Sequence, residues 1–229
     1  MEAEPPTVRR ASRLAAELIV IVVGVLIALA VDAGWEARQE RARLADYLSQ
    51  IRSDLLATEA DLQDAIVADS LVRFGAGQLE LGLNAQPIAT PDSLDVWLRM
   101  TLLPSLFHPR SGTVQALVRS GDIRLVSDPA LHQSLVEYLD AVERFNRLDS
   151  DMYVIAIQAF GRLGHEVNLR TQVGLDRGAR PPDWTALAAN PGITSEIRQL
   201  RISSNVRINL LWRLRESHRA LLDALASHR

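Results

Sequence analysis

The sequence predicts an all-α protein in which an N-terminal transmembrane helix continues into a long helix that packs in an antiparallel helical bundle. Two observations support this fold class. Apolar residues recur at alternating three- and four-residue steps along three long stretches, and proline and glycine residues separate those stretches. Without the anchor, about 190 residues remain, which suffices for one sizeable hydrophobic core.

The predicted anchor is an uninterrupted uncharged run from Leu18 to Val31. Extended back to Leu14, the run reaches the low end of what a helix needs to cross about 30 Å of hydrocarbon. Glu17 opposes insertion, but by less than the aliphatic side chains favour it. We therefore predict a short tail over residues 1–13, a transmembrane helix over residues 14–35 and a helical domain over residues 36–229.

A cleavable signal peptide is the alternative for this segment, because Arg9, Arg10 and Arg13 precede it and Ala28-Leu29-Ala30 resembles a cleavage site. Retention is favoured by Glu17, which lies where a signal peptide needs apolar residues, and by Trp35 at the far membrane interface. The two flanks of the predicted span carry equal numbers of basic residues, so the count does not decide its orientation. The short N-terminal tail favours a cytoplasmic N-terminus in the bacterial inner membrane, with the bulk of the chain extracytoplasmic.

Capping signals divide the helical domain. Thr90-Pro91 and Asp128-Pro129 each place a capping residue before a proline in the first helical turn, and Gly121 suits the position after a helix. Glycines 75, 77 and 82 are expected to end the first helix. The predicted long helices span residues 36–74, 129–163 and 193–227, and the short ones span residues 91–103 and 111–120.

Composition excludes several functional classes. Cysteine is absent, so the chain has neither disulfides nor a thiolate nucleophile, and the net charge of −3 argues against binding to nucleic acid. The five histidines follow no metal-binding spacing. No catalytic signature is present. We predict no enzymatic activity, no cofactor and no metal, and we expect the arginines of the last helix to pair with acidic residues.

Five segments carry a resemblance to a known family: Glu17–Val20, Val23–Leu29, Trp35-Glu36, Ser111–Thr113 and Ser120–Ile123. The first three are similar to an opening pattern of glutamate, aliphatic run, Gly-Val-Leu-Ile-Ala-Leu and a trailing tryptophan. The last two resemble a short helix and its turn. On these residues the chain resembles a family of uncharacterised single-pass bacterial membrane proteins. The resemblance implies a tether plus a helical domain, and it implies no activity.

The candidate site is one face of the predicted transmembrane helix. Gly24 and Ala28 form a small-xxx-small pair that lets two helix backbones approach closely. At 100° per residue the face comprises Glu17, Ile21, Gly24, Ala28, Val31 and Trp35. Its expected partners are the lipid bilayer and either a second copy of the chain or another membrane protein. The predicted function is therefore a membrane-anchored accessory, scaffold or interaction module.

The alternative function is an extracytoplasmic ligand-binding, sensor-like bundle. Its pocket would lie between helices, and Trp97, Trp184 and Trp212 mark the expected place.

Overall fold

The computed structural model describes residues 6–102, 106–166 and 182–228, and it describes their side chains except those of residues 6–21 and 165–166. All regular structure in these ranges is helical. The elements are α1 Pro6–Asn84, α2 Pro91–Thr101, α3 Gly112–Arg119, a 3₁₀ turn Asp122–Leu125, α4 Pro129–Glu166, α5 Trp184–Ala188 and α6 Pro191–Ser227. The chain divides into two compact units, residues 1–49 and residues 50–229.

In the second unit, α6 runs antiparallel to both α4 and α1. Its ion pairs with α4 join Arg207 to Asp149 and Glu196 to Arg162, so residue numbers fall along α6 as they rise along α4. Its pairs with α1 follow the same order, from Glu59 with His218 to Glu80 with Arg198. The predicted all-α bundle of long helices that pack against each other is confirmed in the described residues.

The buried face of α1 follows the predicted heptad-like pattern. Leu44 and Leu48 are half-buried, and the seam is buried from Ile51 onward. It continues beyond the predicted residues at the same three- and four-residue steps as far as Leu83.

The first long helix does not end near Phe74 as expected but extends to Asn84. Glycines 75 and 82 lie inside it, where they let α2 approach closely. A Cβ at Gly75 would lie 2.6 Å from Met100 Cβ and 2.8 Å from the Trp97 carbonyl oxygen. Packing against α2 therefore outweighs the poor helix propensity of glycine at these positions.

Three predicted helix boundaries are present, and at two of them the capping residue acts as expected. Gly121 follows α3 with a φ of 79°, a left-handed conformation that glycine adopts without strain. Asp128 Oδ1 accepts a hydrogen bond from the Ala130 N–H at the start of α4. Thr90 precedes α2, but its hydroxyl contacts Ser93 Oγ instead of a backbone N–H.

The short helix α5 was not expected, because no helix was predicted between residues 163 and 193. Asp183 caps it by accepting a hydrogen bond from the Ala186 N–H, and Trp184 and Leu187 are buried in a core cluster with α1, α2, α4 and α6. Burial of these two apolar side chains accounts for a helix of only five residues.

The predicted transmembrane span, residues 14–35, is helical as part of α1. The side chains of Glu17 and Ile21 lie outside the described residues. Among the residues that the structure describes, no helix is both long enough and apolar enough to cross a membrane. The predicted transmembrane helix is therefore not supported by the structure.

Candidate functional site

A cavity of about 330 Å³ lies between α1, α4 and α6, with the end of α2 and residues 106–108 beside it. This volume is at the lower end of small-molecule sites, which span about 300–1,000 Å³, and is about twice that of an engineered cavity of about 150 Å³ that holds benzene. Most of its wall is apolar. The α4 contribution consists of Met152, Tyr153, Ala156, Ile157 and Phe160.

The polar part of the cavity wall is a three-residue ionic cluster. Arg207 of α6 donates from Nη1 to Asp69 Oδ2 of α1 over 2.6 Å, and from Nε to Asp149 Oδ1 of α4. Asp69 is 4% exposed and Arg207 is 9% exposed. Each of the three long helices contributes one member, so the cluster joins all three at the cavity.

The net charge of this cluster is −1 when both carboxyl groups are ionised. Burial raises the pKa of Asp69, and the opposing attraction of Arg207 does not cancel that effect. Burial disfavours the charged form of Arg207, but the Asp69 carboxylate and the hydrogen bond to Asp149 outweigh it and raise the guanidinium pKa. The guanidinium of Arg207 therefore stays charged, and the cluster holds one more acidic group than basic groups.

Two buried hydroxyl groups line the cavity beside the ionic cluster. Ser203 and Ser204 each donate a hydrogen bond to the Leu200 carbonyl oxygen, over 3.0 and 2.7 Å. Because their protons are used in this way, the two hydroxyl oxygens offer lone pairs to the cavity. The polar end therefore offers these hydroxyl oxygens as acceptors beside the two carboxylates, together with the remaining N–H groups of Arg207.

A second buried polar group lies further along α6. His218 is fully buried, and its Nε2 is 3.0 Å from Glu59 Oε2 without the alignment of a hydrogen bond. Its Nδ1 has no hydrogen-bond partner among the described residues. Burial lowers the pKa of His218, against the raising effect of the Glu59 carboxylate. Tyr138 packs edge-on against the imidazole at 6.1 Å.

The candidate face on α1 is open where its side chains are described. Val31 and Trp35 are 67% and 71% exposed, and a Cβ at Gly24 would meet no atom within 4 Å. Ala28 is also exposed.

The three tryptophans do not come together at the cavity. The Trp184 indole N–H donates to Asp95 Oδ1 over 3.2 Å, and the ring of Trp97 packs over Gly82. Trp212 lies at the surface beneath the guanidinium of Arg215. None of the three is among the residues that line this cavity, so the cavity lies elsewhere than the expected pocket.

Four arginines of α6 pair with acidic residues of the neighbouring helices, as their spacing suggested. Besides Arg207, Arg198 and Arg201 both bind Glu80, and Arg219 lies 3.7 Å from Glu59. Partial burial of Glu80 raises its pKa, but the hydrogen bonds from the two arginines outweigh it and lower the pKa overall.

Within the described residues, no cluster of histidine and carboxylate groups has the arrangement of a metal site.

The cluster residues Asp69, Asp149 and Arg207 were not predicted as a site, although the sequence carries a signal for them. Each occupies a position in the apolar seam of its helix: Asp69 follows Ala65 by four residues, and Arg207 precedes Leu211 by four. A charged residue at a seam position in each of three helices indicates a buried ionic cluster.

Comparisons with protein-family models, with curated proteins and with solved structures give no significant match for this chain.

Proposed function

We propose that this chain is a ligand-binding helical bundle that takes up a small amphipathic molecule in the cavity between α1, α4 and α6. The observation that carries the proposal is an apolar cavity of about 330 Å³ that ends at a buried ionic cluster. Ligand sites combine these two features, an apolar wall and a small number of polar groups that fix orientation.

Two further observations support a binding role. Leu106, Tyr153 and Ile157, which line the cavity, are 75%, 55% and 50% exposed, so an apolar rim is accessible from solvent. The cluster is also costly: three charged groups at apolar seam positions lose hydration that their mutual attraction repays only in part. A ligand that binds at the cluster gives these residues a role besides stability.

The test uses the full-length chain in lipid nanodiscs and three probes with the same eight-carbon tail: octanol, octylamine and octanoate. Isothermal titration calorimetry measures whether at least one probe binds saturably with one site per chain. The variant Ala156→Leu fills the cavity and is expected to abolish that binding. Ala130→Leu adds the same side chain at an exposed position of the same helix and is expected to leave binding unchanged.

Absence of saturable binding for all three probes would overturn the proposal, as would binding that survives Ala156→Leu. Partition of the probes into the nanodisc lipid is insensitive to both substitutions, so the difference between the two variants isolates the cavity.

The second candidate function is a membrane-attached interaction module in the bacterial inner membrane, with its N-terminus cytoplasmic and its bulk extracytoplasmic. It is supported by the uncharged run Leu18–Val31 and by the exposure of large apolar side chains over residues 22–31. Contact between apolar side chains and water is unfavourable. Lipid or a protein partner around this segment would remove its apolar surface from water. The face that includes Gly24 and Ala28 would contact a second copy of the chain.

Disulfide crosslinking in native membranes tests this second function. Cysteine is absent from the chain, so a single Ala28→Cys substitution gives an unambiguous reporter of self-association. Oxidation is expected to yield a dimer, and Gly24→Ile in the same chain is expected to reduce the yield because it separates the backbones. A monomer after oxidation, or a dimer unaffected by Gly24→Ile, contradicts helix pairing through this face.

A further inference from the structure

We infer that the ligand of the cavity carries a cationic polar end, such as a primary ammonium group, which binds beside Asp149. This inference rests on the proposed ligand-binding function and adds the chemical class of the ligand. It follows from the charges and the hydrogen-bonding capacity of the cluster.

The first argument is the charge of the cavity end. Two carboxyl groups, Asp69 and Asp149, share the single guanidinium of Arg207. The other lining residue with a basic side chain is His108, which is exposed. Burial is the largest cause of the raised pKa of Asp69, and repulsion by the neighbouring Asp149 adds to it, which agrees with an excess of negative charge at this end.

The second argument is the set of unused acceptors. Arg207 binds one oxygen of each carboxylate, Asp69 Oδ2 and Asp149 Oδ1. The second oxygen of each carboxylate makes no hydrogen bond to another described residue, and the hydroxyls of Ser203 and Ser204 point their protons to Leu200. An ammonium group has three donors and no acceptor, so it matches this set.

Asp149 is the natural contact for the incoming cation. Its side chain is 22% exposed, whereas that of Asp69 is only 6% exposed. A ligand therefore reaches Asp149 without displacing Arg207 from Asp69.

An anionic ligand fits this site less well. A carboxylate would have to approach Arg207, whose Nε and Nη1 are already bound to two carboxylates. Like charges within a partly desolvated site repel each other strongly. A fatty acid would thus meet repulsion where an alkylamine of the same length meets attraction.

The experiment compares the same three probes on the full-length chain in nanodiscs of neutral phosphatidylcholine. We expect octylamine to bind about tenfold more tightly than octanol, the difference that one charge-assisted hydrogen bond typically supplies, and octanoate to bind most weakly. Neutral lipid keeps the charged probes from concentrating at the bilayer surface. Equal affinity for octanol and octylamine would refute the cationic ligand while leaving the proposed binding function intact.

Two matched variants test which carboxylate binds the cationic end of the ligand. Asp149→Asn keeps an amide oxygen for the Arg207 Nε–H but removes the negative charge, so it should abolish the preference for octylamine over octanol. Asp140→Asn removes the same charge from an exposed position of α4 and should preserve the preference.

Retention of the octylamine preference in Asp149→Asn would overturn the assignment to this carboxylate. The probe ranking in the unmodified protein requires no variant, so it tests the inference even if Asp149→Asn fails to fold.

Discussion

Arg207 of α6 and Asp69 of α1 form a buried ion pair, with 2.6 Å between Nη1 and Oδ2. The pair lies on the facing seams of two antiparallel helices, and Asp149 of α4 binds the same guanidinium. Because most seam positions are occupied by apolar residues, this contact helps to fix which turns of the three helices lie opposite one another. It also forms the polar end of the cavity.

Arg207→Met is expected to lower the free energy of unfolding by about 3–5 kcal/mol, because it leaves the buried carboxylate of Asp69 and the half-buried carboxylate of Asp149 without a counter-charge. Urea unfolding followed by circular dichroism measures the loss. The matched control is Arg198→Met, which removes a half-exposed arginine from Glu80 and should cost at most about 1 kcal/mol. Similar losses of unfolding free energy in the two variants would show that the buried ion pair stabilises the bundle no more than the half-exposed one does.

Stability is expected to decrease as the pH falls below about 6.5, the ordinary pKa of histidine, because of His218. Its folded-state pKa is lowered by burial, so the unfolded chain takes up a proton first and is stabilised relative to the folded one. Between the unfolded and folded pKa values the slope approaches about 1.4 kcal/mol per pH unit. Urea unfolding at pH 8, 7, 6 and 5 measures it.

His218→Gln should flatten this pH dependence, since glutamine does not titrate. The matched control is His132→Gln, which changes an exposed histidine of α4 and should leave the slope as it is. A slope that persists unchanged in His218→Gln would assign the pH dependence to other groups.

Gly75→Ala is expected to destabilise the bundle, although alanine favours a helix by about 1 kcal/mol over glycine. The new Cβ would lie 2.6 Å from Met100 Cβ and 2.8 Å from a backbone oxygen of α2, so α2 has to shift. Gly77→Ala, two residues further along the helix, meets only Arg201 Cδ at 3.5 Å. Thermal unfolding should show a lower Tm for Gly75→Ala and an unchanged or higher Tm for Gly77→Ala.

Val25→Arg is expected to release the chain from membranes if residues 14–35 hold it there. An arginine at the centre of a membrane helix costs about 2.5–3.5 kcal/mol on an insertion scale, which offsets much of the gain from the aliphatic side chains. Alkaline carbonate extraction of membrane fractions measures the bound share. Val25→Leu serves as control and should remain in the pellet; extraction of the unmodified chain by carbonate would contradict the anchor.

Much of the bundle follows from local sequence signals. The steps from Ile51 to Ala65 mark the buried face of α1, and Asp128-Pro129 and Gly121 mark helix boundaries that the structure shows. These signals act within one or two helical turns, so they are readable without knowledge of the partners. The end of α1 was predicted too early, because glycine has a poor helix propensity and Gly75 was taken as a helix end. In the structure Gly75 lies inside α1, where the absence of a side chain lets α2 approach closely.

The cavity was not predictable in the same way. Trp97 and Trp184 suggested a pocket by residue type, yet their partners, Gly82 and Asp95, lie on other elements and direct the rings elsewhere. Met152 and Phe160 lie on the same apolar face as the core residues of α4, and only the separation of the facing helices leaves space beside them. Sequence periodicity identifies a buried face without specifying how fully it is packed.

By itself, the sequence determined that the chain is helical, where most of its helices begin and which of their faces are buried, because helix periodicity and capping depend on neighbouring residues. Only the tertiary structure decided that Asp69, Asp149 and Arg207 meet at one end of a cavity, and that His218 is enclosed beside Glu59. Those contacts join residues 58 to 159 positions apart in the chain. Their geometry depends on helix register and separation, which are set by the packing of the whole bundle.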